Sequence, residues 1–518
     1  MQPWSDDSEI FRHRRARAVR PWERVVLGIL VFVGLQSIIY FGFWWFRLEH
    51  ISEPLLFVLL SIATWYGVFR IFVGWYNAFH VDHPDEKPAP PGLRVAIFTT
   101  SSPGEPYEMF VRTLEAVRNI KYPHTTYLLD DTKDPRFGEL AREKGATHLE
   151  LIGIPGAKAG KINAALERTD EEFILVLDPD HIPFPEFLDR VLGYFEDEAV
   201  GFVQVSQAYH NAGESFVARA AAEQTFAFYG PIMQGMHGTG TAVAIGANCS
   251  FRRTALESIG GHGIGLAEDL VTSIRLHARK WKSIYVPEIL SRGLVPADLD
   301  SFLKQQLKWS RGVHDVLFQE YPRAFRHLTV HQRISYFMIG SYYLVGLTSL
   351  IYFTIPLIYL WFGTHPAVLL LTDYIDHAMP VGLFGLAIYR FTQRWLCDPV
   401  REAGSHWRGT LLKIGAWNIY LKGLILAIAQ IAVPYIPTVK VRQTTDFWRM
   451  ARLPLFVIAI SFLTTLWTIV RRLFVVPESE VLITTEVTLG MIFFLTVNSI
   501  FMSGRLYAAW KDSERRLS

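Results

Sequence analysis

Apolar residues in this chain gather into two blocks of long runs, separated by a stretch where short apolar runs alternate with polar ones. The first long run, about Val25 to Phe46, carries no charge and can cross a hydrocarbon core of roughly 30 Å. The second extends from about Pro54 to Tyr76, with Arg70 near one end, where its stem can snorkel toward headgroups. Long runs return at Ser335–Phe362, Ala367–Tyr389, Thr410–Ile436, Leu453–Val470 and Leu482–Met502. A basic arm of Arg12, Arg14, Arg15, Arg17 and Arg20 precedes the first run and predicts a cytoplasmic start.

The run Thr410–Ile436 has basic flanks on both sides: Arg390, Arg394, Arg401, Arg408 and Lys413 before it, and Lys440, Arg442, Arg449 and Arg452 after it. A single crossing would leave one flank outside, so the run is expected to be interfacial or re-entrant. Six crossings then remain, with both termini cytoplasmic, as Arg505, Lys511, Arg515 and Arg516 also favour. Arg471 and Arg472 oppose this by facing outward. Seven spans with an external C-terminus is the alternative.

Between the blocks, His80 to Gly92 is a charged, proline-rich linker that cannot continue a helix. Arg94–Thr99 then reads as a buried strand. Tyr107–Asn119 places Phe110, Val111, Leu114 and Val117 at helical spacing. Thr125–Leu129 and Thr147–Ile152 read as strands, Phe137–Lys144 and Gly160–Glu167 as helices, and Phe173–Leu177 as a fully apolar strand. The alternation predicts a mostly parallel, Rossmann-like α/β sheet with ligands beyond the carboxyl ends of its strands. Leu299–Glu320 reads as a long amphipathic segment leading toward the membrane.

Composition narrows the class. Half of the residues are hydrophobic, and the charged fraction of 19% lies below the roughly 25% of soluble domains. A net charge of +2 gives no reason to expect nucleic acid as a partner. Cys249 and Cys397 match neither a disulfide framework nor a zinc spacing, which suits a reducing cytoplasm. No cleavable signal peptide is expected, because the first run is long and no small-residue cleavage site follows it.

The acidic clusters fall where the sheet would present them. Asp130-Asp131 closes one predicted strand and Asp178-Pro179-Asp180-His181 closes another. Paired aspartates commonly serve turns. A rigid turn after a buried strand would instead aim both carboxylates and the His181 imidazole into one pocket, suited to Mg²⁺ (or Mn²⁺) and a diphosphate. Glu268-Asp269 precedes a helix, where acidic side chains complement the dipole. Following the Gly260–Gly265 loop, Asp269 could equally act as a general base. Lys158-Ala159-Gly160-Lys161 lacks the P-loop pattern, yet a lysine after such a turn can meet a diphosphate. Gln305, Lys308 and Trp309 could decorate an amphipathic face, or hold a sugar ring beside a cation.

Taken as an ordered set, these residues resemble the processive family-2 glycosyltransferases, the cellulose, curdlan, hyaluronan and chitin synthases. The resemblance runs from about residue 93 to 315 and continues in the membrane layout. It covers Asp130 and Asp131, the K-A-G-x-x-N stretch Lys158 to Asn163, Asp178-x-Asp180-His181, and the F-V-Q of Phe202 to Gln204. It also covers Gly246 to Arg253 (G-x-N-x-x-x-R-R), the E-D of Glu268 and Asp269, and a Q-x-x-R-W motif at Gln305, Lys308 and Trp309. Lys308 replaces the family's arginine, and Ala267 stands where threonine is usual. Thr100, Glu105 and Pro106 look like the opening nucleotide-binding turn. The hexapeptide from Tyr435 to Lys440 looks like a gating loop, with Thr438 and Lys440 at its matching positions.

The resemblance implies a glycosyltransferase-A-like domain embedded in a helical transmembrane bundle. By the resemblance, Asp269, with Glu268 beside it, activates the acceptor. Thr100, Glu105, Asp130, Lys158, Asp178, Gln305 and Lys308 hold the nucleotide sugar. Asp178, Asp180 and His181 hold the metal, and Trp309, Gly246 and Asn248 meet the acceptor. The expected activity is inverting, processive polymerisation of a β-glucan from UDP-glucose, with translocation across the plasma (inner) membrane and room for accessory export subunits. A synthase using UDP-N-acetylglucosamine, transfer of one sugar to a lipid phosphate, and a non-catalytic channel or sugar-binding protein stay open beside it. The expected organisation is a basic arm at 1–23, two membrane helices at 24–78, a linker at 79–92 and the catalytic domain at 93–298. Interface helices at 299–333 follow, then two membrane helices at 334–390, an interface segment and gating-like loop at 391–451, two more membrane helices at 452–504, and a tail at 505–518.

Overall fold

The protein is described by a computed structural model covering residues 10–434, 442–475 and 485–514. Its α/β part is one mixed nine-stranded sheet. The strands are β1 (Arg14–Arg15), β2 (Val95–Thr100), β3 (Thr125–Asp130), β4 (Thr147–Glu150), β5 (Phe173–Leu177), β6 (Ile182–Pro183), β7 (Val200–Tyr209), β8 (Cys249–Arg252) and β9 (Lys282–Gly293). They are ordered β1-β9-β7-β8-β5-β2-β3-β4, with β6 paired to β9.

The parallel half, β4-β3-β2-β5, forms as the alternation predicts. Every residue of β2 and β5 is buried, which explains their unbroken apolar runs. The helices Tyr107–Arg118, Pro135–Glu143 and Ala157–Leu166 make the crossovers between them. The other half departs from the expected mostly parallel sheet, because the four-residue β8 runs antiparallel to both β5 and β7. So short a strand leaves no periodicity to read. In the parallel register Thr99 faces both Leu128 and Leu177, so the carboxyl ends of β2, β3 and β5 lie side by side.

The basic arm is part of this sheet. Arg14 and Arg15 pair with Ile289 and Glu288 at its edge. The Glu288 carboxylate is buried and meets His13 Nε2 at 2.6 Å, Arg15 Nη1 at 3.0 Å and Arg190 Nε at 2.9 Å. Burial pushes its pKa up, but these partners bring it below the ordinary glutamate value.

Five helical segments among the described residues are long and apolar enough to cross a membrane: Pro21–Trp45, Pro54–Phe79, Val330–Phe362, Phe447–Phe474 and Val487–Ser513. Leu371–Thr392, expected as a crossing, is not among them and carries Asp373, Asp376 and Arg390. The run expected at the interface forms two helices, Trp407–Gly415 and Trp417–Ile428, bent by 46°.

Hydrogen bonds mark the two ends of the bundle. At the sheet's end, buried Glu23 accepts from Arg17 and Arg394, and Asp512 accepts from the Leu299 N–H at 2.7 Å. At the opposite end the Ser52 N–H donates to the Pro366 carbonyl, and the Val368 N–H to His50. The largest apolar cluster runs without a break from Tyr209 and Met233 in the sheet domain to Tyr420, Met450 and Ala508 in the bundle.

Glu288→Ala should leave Arg15 and Arg190 without their shared carboxylate and destabilise the protein by about 2–3 kcal/mol, given their partial exposure. Limited proteolysis in detergent should then cleave the N-terminal arm faster. An arm as resistant as the parent's would show that strand pairing alone holds it.

Candidate active site

The site lies at the carboxyl ends of β2, β3 and β5, and each strand delivers one part. At the end of β3, Asp130 is buried and accepts from Ser101 Oγ at 2.6 Å and the Thr132 N–H at 2.9 Å, with His148 Nε2 2.9 Å away. Burial pushes its pKa up, but the bonds from Ser101, His148 and Thr132 bring it below the ordinary aspartate value. Asp131 accepts from the Gly153 N–H. Next to it, Thr100 is buried, and Glu105 accepts from the Ser102 N–H at 2.9 Å, closing its own turn.

Lys161 ties this turn to the helix Ala157–Leu166 by donating to the Ser101 carbonyl at 2.5 Å and Ser102 Oγ at 3.0 Å. Burial lowers its pKa, against the pull of Asp131, Glu105 and Asp130. Gly160 lets that helix start so close to the preceding turn, because a Cβ there would meet the Pro155 carbonyl oxygen at 1.9 Å.

Beyond β5, Asp178, Asp180 and His181 bring one ligand atom each within 4.8 Å of one another. Asp180 and His181 are buried, with His181 Nδ1 3.3 Å from Asp180 Oδ1. The Leu294 N–H donates to Asp180 at 3.2 Å, and Thr113 Oγ1 donates to the Pro179 carbonyl at 2.6 Å. Gly293, at the end of β9, lies against the imidazole, where a Cβ would meet His181 Cε1 at 2.4 Å. Two hard carboxylates and one imidazole fit a divalent cation that completes its shell with phosphate oxygens.

Lys158 joins the parts. Its buried ammonium donates to Asp178 Oδ1 and to the Gly246 carbonyl. Burial works against that charge, but Asp178, Glu268 and Asp269 together hold its pKa above the ordinary lysine value. Gly246 (φ 86°) and Asn248 (φ 56°) belong to a loop clamped by Gln204. The Gln204 amide donates to the Ala247 and Asn248 carbonyls at 2.9 and 3.1 Å and accepts from the Ile245 N–H at 3.0 Å. The Asn248 side-chain Oδ1 in turn accepts from Ser291 Oγ at 2.7 Å.

Glu268 and Asp269 open the helix Glu268–Ala278, where acidic residues are favoured. Asp269 lies beside Gly246, whose added Cβ would be 3.4 Å from Asp269 Oδ2. Burial and the adjacent Glu268 carboxylate push Asp269 up to about 7. Glu268 is raised by burial as well, opposed by the charges of Lys158 and Lys308. The charge of Lys308 therefore reaches Glu268 from the helix Leu299–Asp315. Trp309 packs against the large apolar cluster, and Gln305 is half-buried on the same helix.

The structure thus brings Asp130, Lys158, Asp178, Asp180, His181, Gly246, Asn248, Glu268, Asp269 and Lys308 to one region. Thr438 and Lys440 lie outside the described residues. Sequence reasoning missed Ser101, His148 and Lys161, which fix the first aspartate and its turn, and Gly293. The two lysines of Lys158–Lys161 carried a readable signal, whereas His148 reaches Asp130 only through the β3–β4 register.

Comparison with known proteins agrees with this geometry. Residues 173–374 match the profile of glycosyl transferase family group 2. The chain is 27% identical over 326 residues to a cellulose synthase catalytic subunit (UDP-forming) of Komagataeibacter sucrofermentans, covering 60% of this chain and 43% of that one. It is 28% identical over 260 residues to the corresponding Pseudomonas fluorescens subunit, covering 48% and 35%. The chain spans less than half the length of these relatives. Among solved structures, a Pyrobaculum calidifontis mannosyltransferase matches with a TM-score of 0.47 and 15% identity, covering 73% of this chain and all of that one.

Gly293→Ala should displace the His181 ring and weaken Mn²⁺ binding in the presence of UDP by about tenfold. An unchanged Mn²⁺ titration would remove His181 from the ligand set.

Proposed function

We propose that this chain, a family-2 glycosyltransferase of the cellulose synthase type, extends a β-glucan from UDP-glucose and passes it through its own membrane bundle. One observation carries the reading most directly. The buried Lys158 ammonium joins the D-x-D carboxylate Asp178 to the loop that faces Asp269, so donor and acceptor chemistry meet at one point.

In this reading Asp130 and the Ser101–Glu105 turn hold the nucleotide. Asp178, Asp180 and His181 would hold Mg²⁺ or Mn²⁺, which supplies charge neutralisation for the diphosphate. Asp269 takes the proton from the acceptor hydroxyl, whose oxygen forms the new bond to the anomeric carbon. The bond from that carbon to the diphosphate oxygen breaks as its electron pair leaves with UDP. Attack from the face opposite the leaving group inverts the configuration. Lys158 and Lys308 supply cations near the developing negative charge. Trp309 offers an aromatic face to the acceptor sugar.

The membrane layout supports the same reading. The β1 strand, the end of Leu371–Thr392 and Asp512 all bond at the sheet's end of the bundle, while 46–53 and 363–370 meet at the other. Six crossings follow: Pro21–Trp45, Pro54–Phe79, Val345–Phe362, Leu371–Thr392, Phe447–Val470 and Thr485–Ser513. The bent pair Trp407–Ile428 stays at the sheet's end, where the Gly409 N–H and Arg408 reach Glu223. Hydropathy alone favours the bent pair over Leu371–Thr392 as the sixth span, whereas the bonds at helix ends support Leu371–Thr392. The basic arm puts the sheet's end in the cytoplasm, where donor nucleotide is available. A small apolar cavity of about 70 Å³ between these helices is lined by Trp45, Tyr352, Tyr374 and Phe494.

Incubating the purified protein with single UDP-sugars tests the function. UDP release with UDP-glucose, and a polymer cut by β-glucan-specific hydrolases, is the expected result; one sugar per lipid, or no turnover at all, would refute it. Asp269→Asn should lower polymer synthesis on the order of 10²–10⁴-fold while UDP binding stays near parental.

The pH profile carries a second sign. A base raised to about 7 is protonated below that pH, so the rate should climb with pH across an apparent pKa near 7 and level off above it. The limb belongs to the Glu268–Asp269 pair as a unit. A rate independent of pH between about 5.5 and 8 would rule out that pair as the base.

A further inference from the structure

The helix that carries Lys308 and Trp309 is not fixed by the catalytic sheet alone. Along one side it is stapled to Trp417–Ile428, the second half of the bent pair. Tyr420 OH donates to Gln306 at 3.2 Å, with both side chains buried. Ser310 Oγ lies 3.4 Å from the Tyr420 carbonyl, and the Arg311 guanidinium reaches the Ile431 carbonyl at 3.3 Å. Between these bonds the helices touch at Gly423, where a Cβ would meet Ser310 Oγ at 1.8 Å and the Arg311 N at 3.2 Å. Ser310 directly follows Trp309, so this closest approach lies beside the tryptophan.

The bent pair is itself held from the last crossing helix. Buried Arg505 donates to the Gly415 carbonyl at 3.3 Å and to Asn418 Oδ1 at 2.7 Å, bridging the break between the two halves. It thus satisfies a carbonyl at the end of the first half and fixes the first turn of the second. On the other side Gly346 admits the pair closely, since a Cβ there would be 2.6 Å from the Leu421 N.

We infer that Gly423 and Tyr420, anchored by Arg505, position the helix of Lys308 and Trp309, so that the membrane bundle sets the acceptor subsite and the cation that meets the developing charge, while the sheet sets the groups that bind the nucleotide. Gly423 and Tyr420 meet the helix at Gln306, Ser310 and Arg311 and are therefore positioning residues. The donor groups Asp130, Lys158 and Asp178 all hang on β2, β3, β5 and the helix Ala157–Leu166, which the bent pair does not carry. A shift of the bent pair therefore moves one half of the site against the other.

The inference rests on the proposed transferase reading, and Trp309→Ala separates the two. Gly423→Ala should push the helix Leu299–Asp315 away. Polymer yield should then fall on the order of tenfold or more, with UDP affinity held within about twofold. Adding Ser310→Gly should restore yield by vacating the clashing atoms. Arg505→Met should lower yield in the same pattern, and Arg505→Lys should recover part of it.

Loss of UDP affinity in step with yield, or no rescue by Ser310→Gly, would overturn the inference. If Gly423→Ala fails to bind UDP at all, Tyr420→Phe decides: a selective fall in polymer yield supports the inference and parental yield overturns it. If Trp309→Ala leaves synthesis parental, the acceptor reading falls and the inference with it. A damaging Trp309→Ala beside a silent Gly423→Ala overturns the inference alone.

Discussion

A single buried ammonium makes the acidic site tenable. Glu268 and Asp269 are buried where burial disfavours their charge, Asp178 lies half-buried nearby, and Lys158 is the cation common to all three. Without it, the buried Glu268 and Asp269 would be pushed further toward their protonated forms. Beside it Asp269 is pushed up to about 7, so in the proposed reading a metal at Asp178 and proton removal by Asp269 are compatible tasks. The backbone around Lys158 follows from this need. Gly160 permits the tight turn that buries the lysine, and Gly246 takes a left-handed conformation while its carbonyl accepts from it.

The same logic of buried charge sets the molecule into its bundle. Glu23 sits at the start of the first membrane helix and is fully buried, which is acceptable only because Arg17 and Arg394 meet it. Those partners come from the arm and from the end of Leu371–Thr392, so the three segments must share one end of the bundle. Asp512 does the same for the last helix through the Leu299 N–H and Arg442. Arg472 donates to the Thr485 and Thr488 hydroxyls, which lessens the weight of its charge against the proposed six crossings.

What could be read from the sequence follows from how local each signal is. The strand Phe173–Leu177 and its acidic turn were legible because an apolar run, a proline and two aspartates are adjacent. The parallel half of the sheet and the placement of Asp130 and Asp178 at strand ends came through for the same reason. The β1 strand was not legible, since its two arginines read as an arm and gain strand geometry only from β9. His148 and Gly293 act across strands or between loops, so their partners lie far off in sequence. The staple between Gly423 and Ser310 is of that kind too: one glycine among many, informative only when the opposing helix is in view.

The two departures from the family pattern make physical sense together. Ala267 stands at the N-cap of Glu268–Ala278 and supplies no side-chain bond there. It is also the residue against which Gly312 packs, a Cβ on which would be 3.0 Å from Ala267 Cβ and 2.8 Å from its N. A larger, β-branched residue at 267 would crowd that contact, so the missing cap accompanies a close approach of the helix Leu299–Asp315 to the acidic pair. Closeness in turn suits lysine at 308. Its charge acts on Glu268, and in the proposed reading a compact ammonium on a flexible stem can also turn toward a diphosphate, where a planar guanidinium would demand one fixed bidentate geometry. The alanine and the lysine therefore belong to one contact, in which the helix Leu299–Asp315 packs on the residue before the acidic pair and carries a cation whose charge reaches Glu268.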